Sequence, residues 1–284
     1  MKTGFELERI SLILLMNCNL KCKDCCVKAP FYKKKYYPQL EFIKAEIDKL
    51  FEIADTINFF SLEGGEALLR PDFGDILEHV ARYKERIGIE IPVITNGTIV
   101  PDRKAIEVAK KLGNKIRFLI DNYGSLSTHV DEIAAVLEKE NIRYTVRDYY
   151  KDLYCGGWVD LYGEFEEKHD QDGAKQLFSR CAWAQKLKGI MEIIGGRIYF
   201  CPVSRVFFER GIDTPSDEVI SFMDEPIDVI RRKLTGLLNC SALAACRYCN
   251  GLLDDSERIV PAVQLTEEEL RCAYYSEHIY REKL

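Results

Sequence analysis

Residues 10–30 read ISLILLMNCNLKCKDCCVKAP, an apolar run followed at once by Cys18, Cys22, Cys25 and Cys26. The run over 10–16 has the length of a buried strand and is too short for a membrane span or a secretory signal. Four thiols in the loop after such a strand need a purpose. The chain has eleven cysteines in 284 residues. Its reading as a cytoplasmic protein with no membrane partner places those thiols where they stay reduced, so metal ligation is expected ahead of a disulfide framework.

Downstream, short apolar runs alternate with helical patterns. Strands are expected over 57–62, 89–95, 115–121 and 142–148. Helices are expected where Ile43, Ile47, Leu50 and Phe51 share one face, where Phe73, Ile76, Leu77 and Val80 do, and near 104–112 and 131–139. Such alternation predicts an α/β fold, a partial (β/α) barrel with its site at the carboxyl ends of the strands. The pattern changes near residue 150. An acidic, glycine-containing stretch over 163–173 reads as loop, and runs at 189–194 and 197–201 flank Gly195-Gly196 as a hairpin. Helices are expected over 225–238 and from Thr266, where Thr266-x-x-Glu269 forms a capping box. The expected organisation is a core over 1–150, a linker over 151–180, a small hairpin-plus-helix domain over 181–255 and a C-terminal helix over 256–284.

The formal charge of −6 speaks against nucleic acid as a partner. Lys33-Lys34-Lys35 reads as a solvated surface. His79 and His129 read as core or surface residues, and Trp158 and Trp183 as packing residues.

Cys18-x3-Cys22-x2-Cys25 offers three thiolates from one loop. Structural zinc usually takes four protein ligands, whereas three suit a [4Fe–4S] cluster with one open iron. A zinc or redox loop is the competing reading of the spacing alone. The spacing resembles that of the radical SAM superfamily, and three further stretches fall where the resemblance places them. "SLEGGEALLRPDF" sets Gly64, Gly65 and Glu66 at the end of the second strand. "VITNGT" sets Thr95 and Asn96 at the end of the third, and "RFLIDNYG" sets Asp121 at the end of the fourth. The resemblance implies that Cys18, Cys22 and Cys25 hold the cluster and that the open iron chelates S-adenosylmethionine. It also implies that Glu66 accepts from the methionine amino group, and that Thr95, Asn96 and Asp121 serve the ribose and methionyl groups. Arg147, ending the fifth strand, is expected to pair with the methionine carboxylate. One position departs from the family: Asp24 stands where an aromatic residue usually packs near adenine, leaving Phe31 or Tyr32 for that contact.

Cys181, Cys201, Cys246 and Cys249 form a second set whose spacing resembles the twitch extension of the same superfamily, a shortened SPASM domain. That resemblance implies one auxiliary [4Fe–4S] cluster suited to electron transfer. A four-cysteine zinc site is the alternative. Cys26, Cys155, Cys240 and Cys272 are left over, and most spare cysteines are small buried hydrophobes. Cys155 alone, in "YCGGW" after the last core strand, is expected to face substrate as a hydrogen-atom donor.

The resemblance implies an oxidoreductase that removes a hydrogen atom from substrate through a 5′-deoxyadenosyl radical. The expected substrate is a secondary alcohol of a sugar or aminocyclitol, with the auxiliary cluster as electron acceptor and a flavodoxin- or ferredoxin-type protein as reductant. Three alternatives share the chemistry: an epimerase returning hydrogen from a cysteine, a peptide maturase and a glycyl-radical enzyme activase. Many peptide-maturing members carry a leader-binding domain before the core; a first strand near residue 10 argues for none here. A zinc-stabilised interaction module is the non-enzyme reading.

Overall fold

A computed structural model describes residues 4–32, 34–151 and 153–276, with side chains of the last helix described as far as Arg271. The Lys33 and Cys272 side chains and the end of the expected C-terminal helix lie outside the described residues. The chain divides into two units, one of Met1–Leu20 and Lys35–Gly156, the other of Lys21–Lys34 and Gly157–Leu284. Cys18 belongs to the first, and Cys22, Cys25 and Cys26 to the second.

The first unit is the expected α/β core. In chain order it runs β1 (Glu6–Ile13), α1 (Leu40–Ile53), β2 (Thr56–Glu63), α2 (Phe73–Ala81), β3 (Ile87–Thr95), α3 (Arg103–Leu112), β4 (Ile116–Asn122), α4 (Val130–Lys139) and β5 (Tyr144–Asp148). The strands pair in parallel in the order β5-β4-β3-β2-β1. Parallel neighbours need crossover connections, and the helices supply them. The faces expected on α1 and α2 are the buried ones. Asp102 caps α3 by accepting from Ala105 N at 2.7 Å.

β1 begins four residues before the apolar run because its polar start is satisfied from β2. Glu6 and Glu8 accept from Asn58 Nδ2 at 2.7 and 2.8 Å, and the Arg9 guanidinium lies 3.7 Å from the Phe59 ring centroid. The run stays buried through Met16 but leaves the ladder. Leu14 N donates to Glu63 O and Met16 N to Tyr36 O, which turns the chain into the cysteine loop.

In the second unit the chain forms α5 (Gln171–Arg180), α6 (Ala182–Gln185), β6 (Met191–Ile194), β7 (Arg197–Tyr199), α7 (Pro202–Glu209), β8 (Val219–Ser221), α8 (Ile227–Leu238) and α9 (Glu267–Ser276). β6, β7 and β8 pair antiparallel. Gly195 and Gly196 have φ of 59° and 73°, the two positive values a two-residue hairpin requires. Helix α5 occupies part of the stretch read as linker. It starts where Asp170 accepts from Gly173 N at 2.8 Å, a cap hidden within the acidic, glycine-containing stretch. The capping box of α9 forms in both directions. Thr266 N donates to Glu269 Oε2 at 2.8 Å and Glu269 N to Thr266 Oγ1 at 3.1 Å. Among the described residues no helix is long and apolar enough to cross a membrane.

Candidate functional site

At the end of β2, Gly64 and Gly65 bring backbone against backbone. Gly65 N donates to Leu15 O at 2.8 Å and Glu66 N to Asn17 O at 2.9 Å. A side chain at Gly65 would meet the Asn17 carbonyl carbon at 2.5 Å and Cys18 N at 3.0 Å. The absent Cβ therefore seats the start of the cysteine loop on the β2 terminus. Glu66 is buried beneath it, accepting from Leu68 N at 3.0 Å through Oε1 and from Asn96 N at 2.7 Å through Oε2. Burial pushes its carboxyl up to about 7, and the two N–H groups hold it back.

Asn96, at the end of β3, reaches the same loop. Its Nδ2 donates to Asn19 Oδ1 at 2.9 Å and approaches Cys18 Sγ at 3.6 Å, and Leu20 N donates to that sulfur at 3.4 Å. Asn96 Oδ1 accepts from Thr98 N at 3.1 Å, and Asn19 Nδ2 donates to Thr98 Oγ1 at 2.7 Å. Thr95 is buried and accepts from Gly97 N at 3.3 Å. Two N–H donors are thus aimed at the Cys18 sulfur.

Asp121, ending β4, takes two bonds from Arg147 of β5: Nε to Oδ1 at 2.5 Å and Nη2 to Oδ2 at 2.9 Å. Burial pushes the Asp121 carboxyl above its ordinary range, and the guanidinium opposes that rise. Ser127, which the sequence did not single out, ties the ends of β3 and β4 together. Its single O–H is shared between Asn96 O at 2.7 Å and Asp121 O at 3.0 Å, and its oxygen accepts from Tyr123 N at 2.9 Å. Cys155 is exposed, in left-handed backbone with φ of 57°, beside Tyr154.

In the second unit, Lys21, Cys22 and Lys23 run beside Val263, Gln264 and Leu265, just before α9. Lys23 N donates to Val263 O and Leu265 N to Lys21 O, both at 2.8 Å, and Gln264 Nε2 donates to Cys22 Sγ at 3.2 Å. Burial pushes the Cys22 thiol up to about 12. The Lys28 ammonium lies 4.6 to 5.7 Å from the ring centroids of Phe31, Tyr162 and Phe165. Tyr32 is engaged through its hydroxyl, which bonds Glu209 and Arg205.

Cys181, Cys201, Cys246 and Cys249 line one apolar cavity, with about 430 Å³ of space partly open to solvent. Phe178, Trp183, Phe200 and Leu243 line it too. Three of the sulfurs accept backbone N–H groups: Cys201 from Ser204, Cys246 from Leu243 at 3.5 Å and Cys249 from Gly251 at 3.1 Å. Burial pushes the Cys201 and Cys246 thiols up to about 12 and raises Cys249, and the neighbouring thiols of the set add to each rise. Among the described residues no cysteine is in a disulfide, and no group of three or more His, Cys, Asp or Glu is arranged to hold a single metal ion.

Residues 12–151, which carry the first cysteine set and every strand end just described, match the radical SAM superfamily. The chain belongs to that superfamily. Radical SAM membership implies S-adenosylmethionine and a [4Fe–4S] cluster as cofactors. GTP 3′,8-cyclase of Campylobacter jejuni subsp. jejuni serotype O:6 is 29% identical over 105 residues, covering 35% of this chain and 30% of that protein. The enzyme of the same name from Campylobacter jejuni subsp. doylei is 28% identical over 103 residues, 34% of this chain and 30% of the relative. The chain thus spans under a third of the length of these curated relatives. Among solved structures, BtrN in complex with AdoMet and 2-DOIA is similar at TM-score 0.50 and 15% identity, over 91% of this chain and 98% of that one. The anSMEcpe complex with AdoMet and the Cp18Cys peptide gives TM-score 0.48 and 16% identity over 96% and 95%. These structural likenesses concern the fold.

Proposed function

We propose that this radical SAM enzyme is an oxidoreductase that dehydrogenates a secondary alcohol of a sugar-like or aminocyclitol substrate, with an auxiliary [4Fe–4S] cluster as electron acceptor. The observation that carries it is the convergence of Cys181, Cys201, Cys246 and Cys249 on one apolar cavity. Bound cofactors would supply the 5′-deoxyadenosyl radical at the first site and a one-electron acceptor at the second. A cluster brings its own sulfide and attaches each thiolate to a different iron, so its ligands need not meet at one ion. The backbone N–H groups aimed at Cys201, Cys246 and Cys249 fit thiolate sulfurs of that kind. Full ligation of the second cluster leaves the substrate to the first site.

The remaining roles belong to the chain's own side chains. Cys18, Cys22 and Cys25 are the proposed ligands of the first cluster. Asn96 and Gln264 orient the Cys18 and Cys22 sulfurs by donating N–H toward them. Gly64, Gly65 and Glu66 fix the loop entry, and Thr95, Asn96, Asp121 and Arg147 line the strand ends where the nucleotide cofactor is proposed to lie. The fold likeness to BtrN, solved with 2-DOIA, is consistent with a small-molecule substrate. A cytoplasmic location and a flavodoxin- or ferredoxin-type reductant complete the reading.

The test is anaerobic purification with metal and sulfide analysis, followed by incubation with S-adenosylmethionine and reductant. About eight irons per chain are expected, falling to about four in Cys246→Ala/Cys249→Ala. Production of 5′-deoxyadenosine should vanish in Cys18→Ala. Zinc in place of iron, or cofactor cleavage that persists in Cys18→Ala, would overturn the reading. Solvent deuterium separates dehydrogenation from epimerisation, since only the latter places one deuteron on product carbon.

A further inference from the structure

Arg205 is fully buried in the second unit, one helical turn beyond Cys201 on α7. Its guanidinium spends every arm. Nε donates to Glu192, Nη1 to Tyr32 and to Glu209 Oε2 at 2.8 Å, and Nη2 to the Val27 carbonyl at 2.9 Å. Val27 is two residues past Cys25, in a segment folded on itself: Lys28 N donates to Cys25 O at 2.9 Å and Phe31 N to Lys28 O at 3.0 Å. The neighbouring Cys26 carbonyl accepts from Tyr162. At its other end, α7 starts on Cys201, whose thiol caps it and whose carbonyl accepts from Arg205 N at 3.3 Å. One helix therefore begins at a thiol of the four-cysteine cavity and grips, a turn later, the backbone beside Cys25.

We propose that Arg205 is a positioning residue that holds the Cys22–Cys25 limb of the first cysteine set to α7, making that helix the link between the two sets. Only a planar fork reaches two carboxylates, a phenol and a carbonyl at once; an ammonium is a single point of charge. Fixing a carbonyl rather than a side chain sets where the loop backbone runs, and hence where Cys25 is presented. The purpose of that placement rests on the cluster reading above, whereas the placement itself is measurable without any metal.

The experiment follows alkylation of individual cysteines by iodoacetamide in the reduced, metal-free, full-length chain, read by mass spectrometry. In Arg205→Lys, modification of Cys22 and Cys25 should quicken on the order of tenfold, the loss of a charge-assisted hydrogen bond. Cys18, held by Asn96, and Cys249, in the same unit, should keep their rates. Glu209→Gln, which leaves Arg205 its bond to Val27, should give a smaller rise of about threefold at Cys22 and Cys25, and it carries the test where Arg205→Lys does not fold. After reconstitution, the change that S-adenosylmethionine produces in the electron paramagnetic resonance signal of the first cluster should weaken in Arg205→Lys. Unchanged rates at Cys22 and Cys25, equal rises at Cys249, or an unaltered resonance response would overturn the proposal. A parent chain that takes up no iron would instead remove the functional reading and leave the alkylation pattern standing.

Discussion

Replacing Gly65 by alanine tests how the cysteine loop is seated on β2. The added methyl would lie 2.5 Å from the Asn17 carbonyl carbon and 3.0 Å from Cys18 N, and nearer still to the Asn17 oxygen. All three are backbone atoms, so no rotamer change relieves the clash; either the β2 terminus or the loop must move. Moving either lengthens the bonds from Gly65 N to Leu15 O and from Glu66 N to Asn17 O, now 2.8 and 2.9 Å. Overpacking costs about 1–3 kcal/mol, and each lost backbone bond adds about 1, which gives roughly 3–5 kcal/mol.

Gly236 provides the opposite case. It lies inside α8 with nothing within 4 Å of a built Cβ. Alanine there should stabilise by about 0.5–1 kcal/mol through helix propensity. Two units need not unfold together, so a local measure is required. Hydrogen exchange with mass spectrometry across a urea series supplies it, using β1 and β2 peptides for Gly65→Ala and α8 peptides for Gly236→Ala. A Gly65→Ala chain within about 0.5 kcal/mol of the parent would refute the steric argument.

Glu66 carries a pH dependence of defined sign. Its carboxyl ionises near 4.5 when unfolded and at about 7 when buried. The native state therefore keeps the proton longer, and stability falls as pH rises through that window, by roughly 3 kcal/mol. Glu66→Gln cannot ionise, so relative to the parent it should gain about that much between pH 4.5 and 7.5; parallel pH profiles of hydrogen-exchange stability in the β2 and β3 peptides would refute this. Asp121→Asn strips the largely buried Arg147 of its carboxylate and should cost roughly 3 kcal/mol in exchange of the β4 and β5 amides. A loss under about 0.5 kcal/mol would mean the pair contributes nothing net. Thr266→Ala removes the side-chain arm of the α9 capping box, the Oγ1 that accepts from Glu269 N, and should cost about 1 kcal/mol, read as faster exchange of the first-turn amides.

The elements visible in the sequence are those specified by local pattern. Strands β2 to β5 and the apolar faces of α1 and α2 follow from residue spacing alone, as do the Gly195-Gly196 turn and the α9 cap. Cys181, Cys201, Cys246 and Cys249 were singled out by the resemblance of their spacing to the twitch extension, and they line one cavity although Cys181 and Cys249 are far apart in the chain. Where local pattern and tertiary partner disagree, the sequence misleads. β1 starts among Glu6, Glu8 and Arg9 because Asn58 and Phe59 satisfy them from the next strand. α7 and β8 were missed: α7 opens with a cysteine and a proline, and β8 has only three residues.

Gly64-Gly65 shows what local pattern leaves open. Absence of a Cβ permits close approach without naming what approaches; the neighbours are the Leu15 and Asn17 backbones. Periodicity could not have supplied them, because it reports which face is buried and not what lies against it. The same holds for the side chains that fix the strand ends and the cysteine loop. Ser127 acts on a carbonyl 31 residues away, Arg205 on one 178 away, and Gln264 on a sulfur 242 away. A serine, an arginine and a glutamine carry no spacing signal of their own. Sequence thus identifies thiols by their chemistry, whereas what fixes their orientation is a set of long-range hydrogen bonds to backbone carbonyls and sulfurs, and carbonyls are common to every residue. For that reason the positioning residues, rather than the cysteines, are where substitution tests the structure most directly.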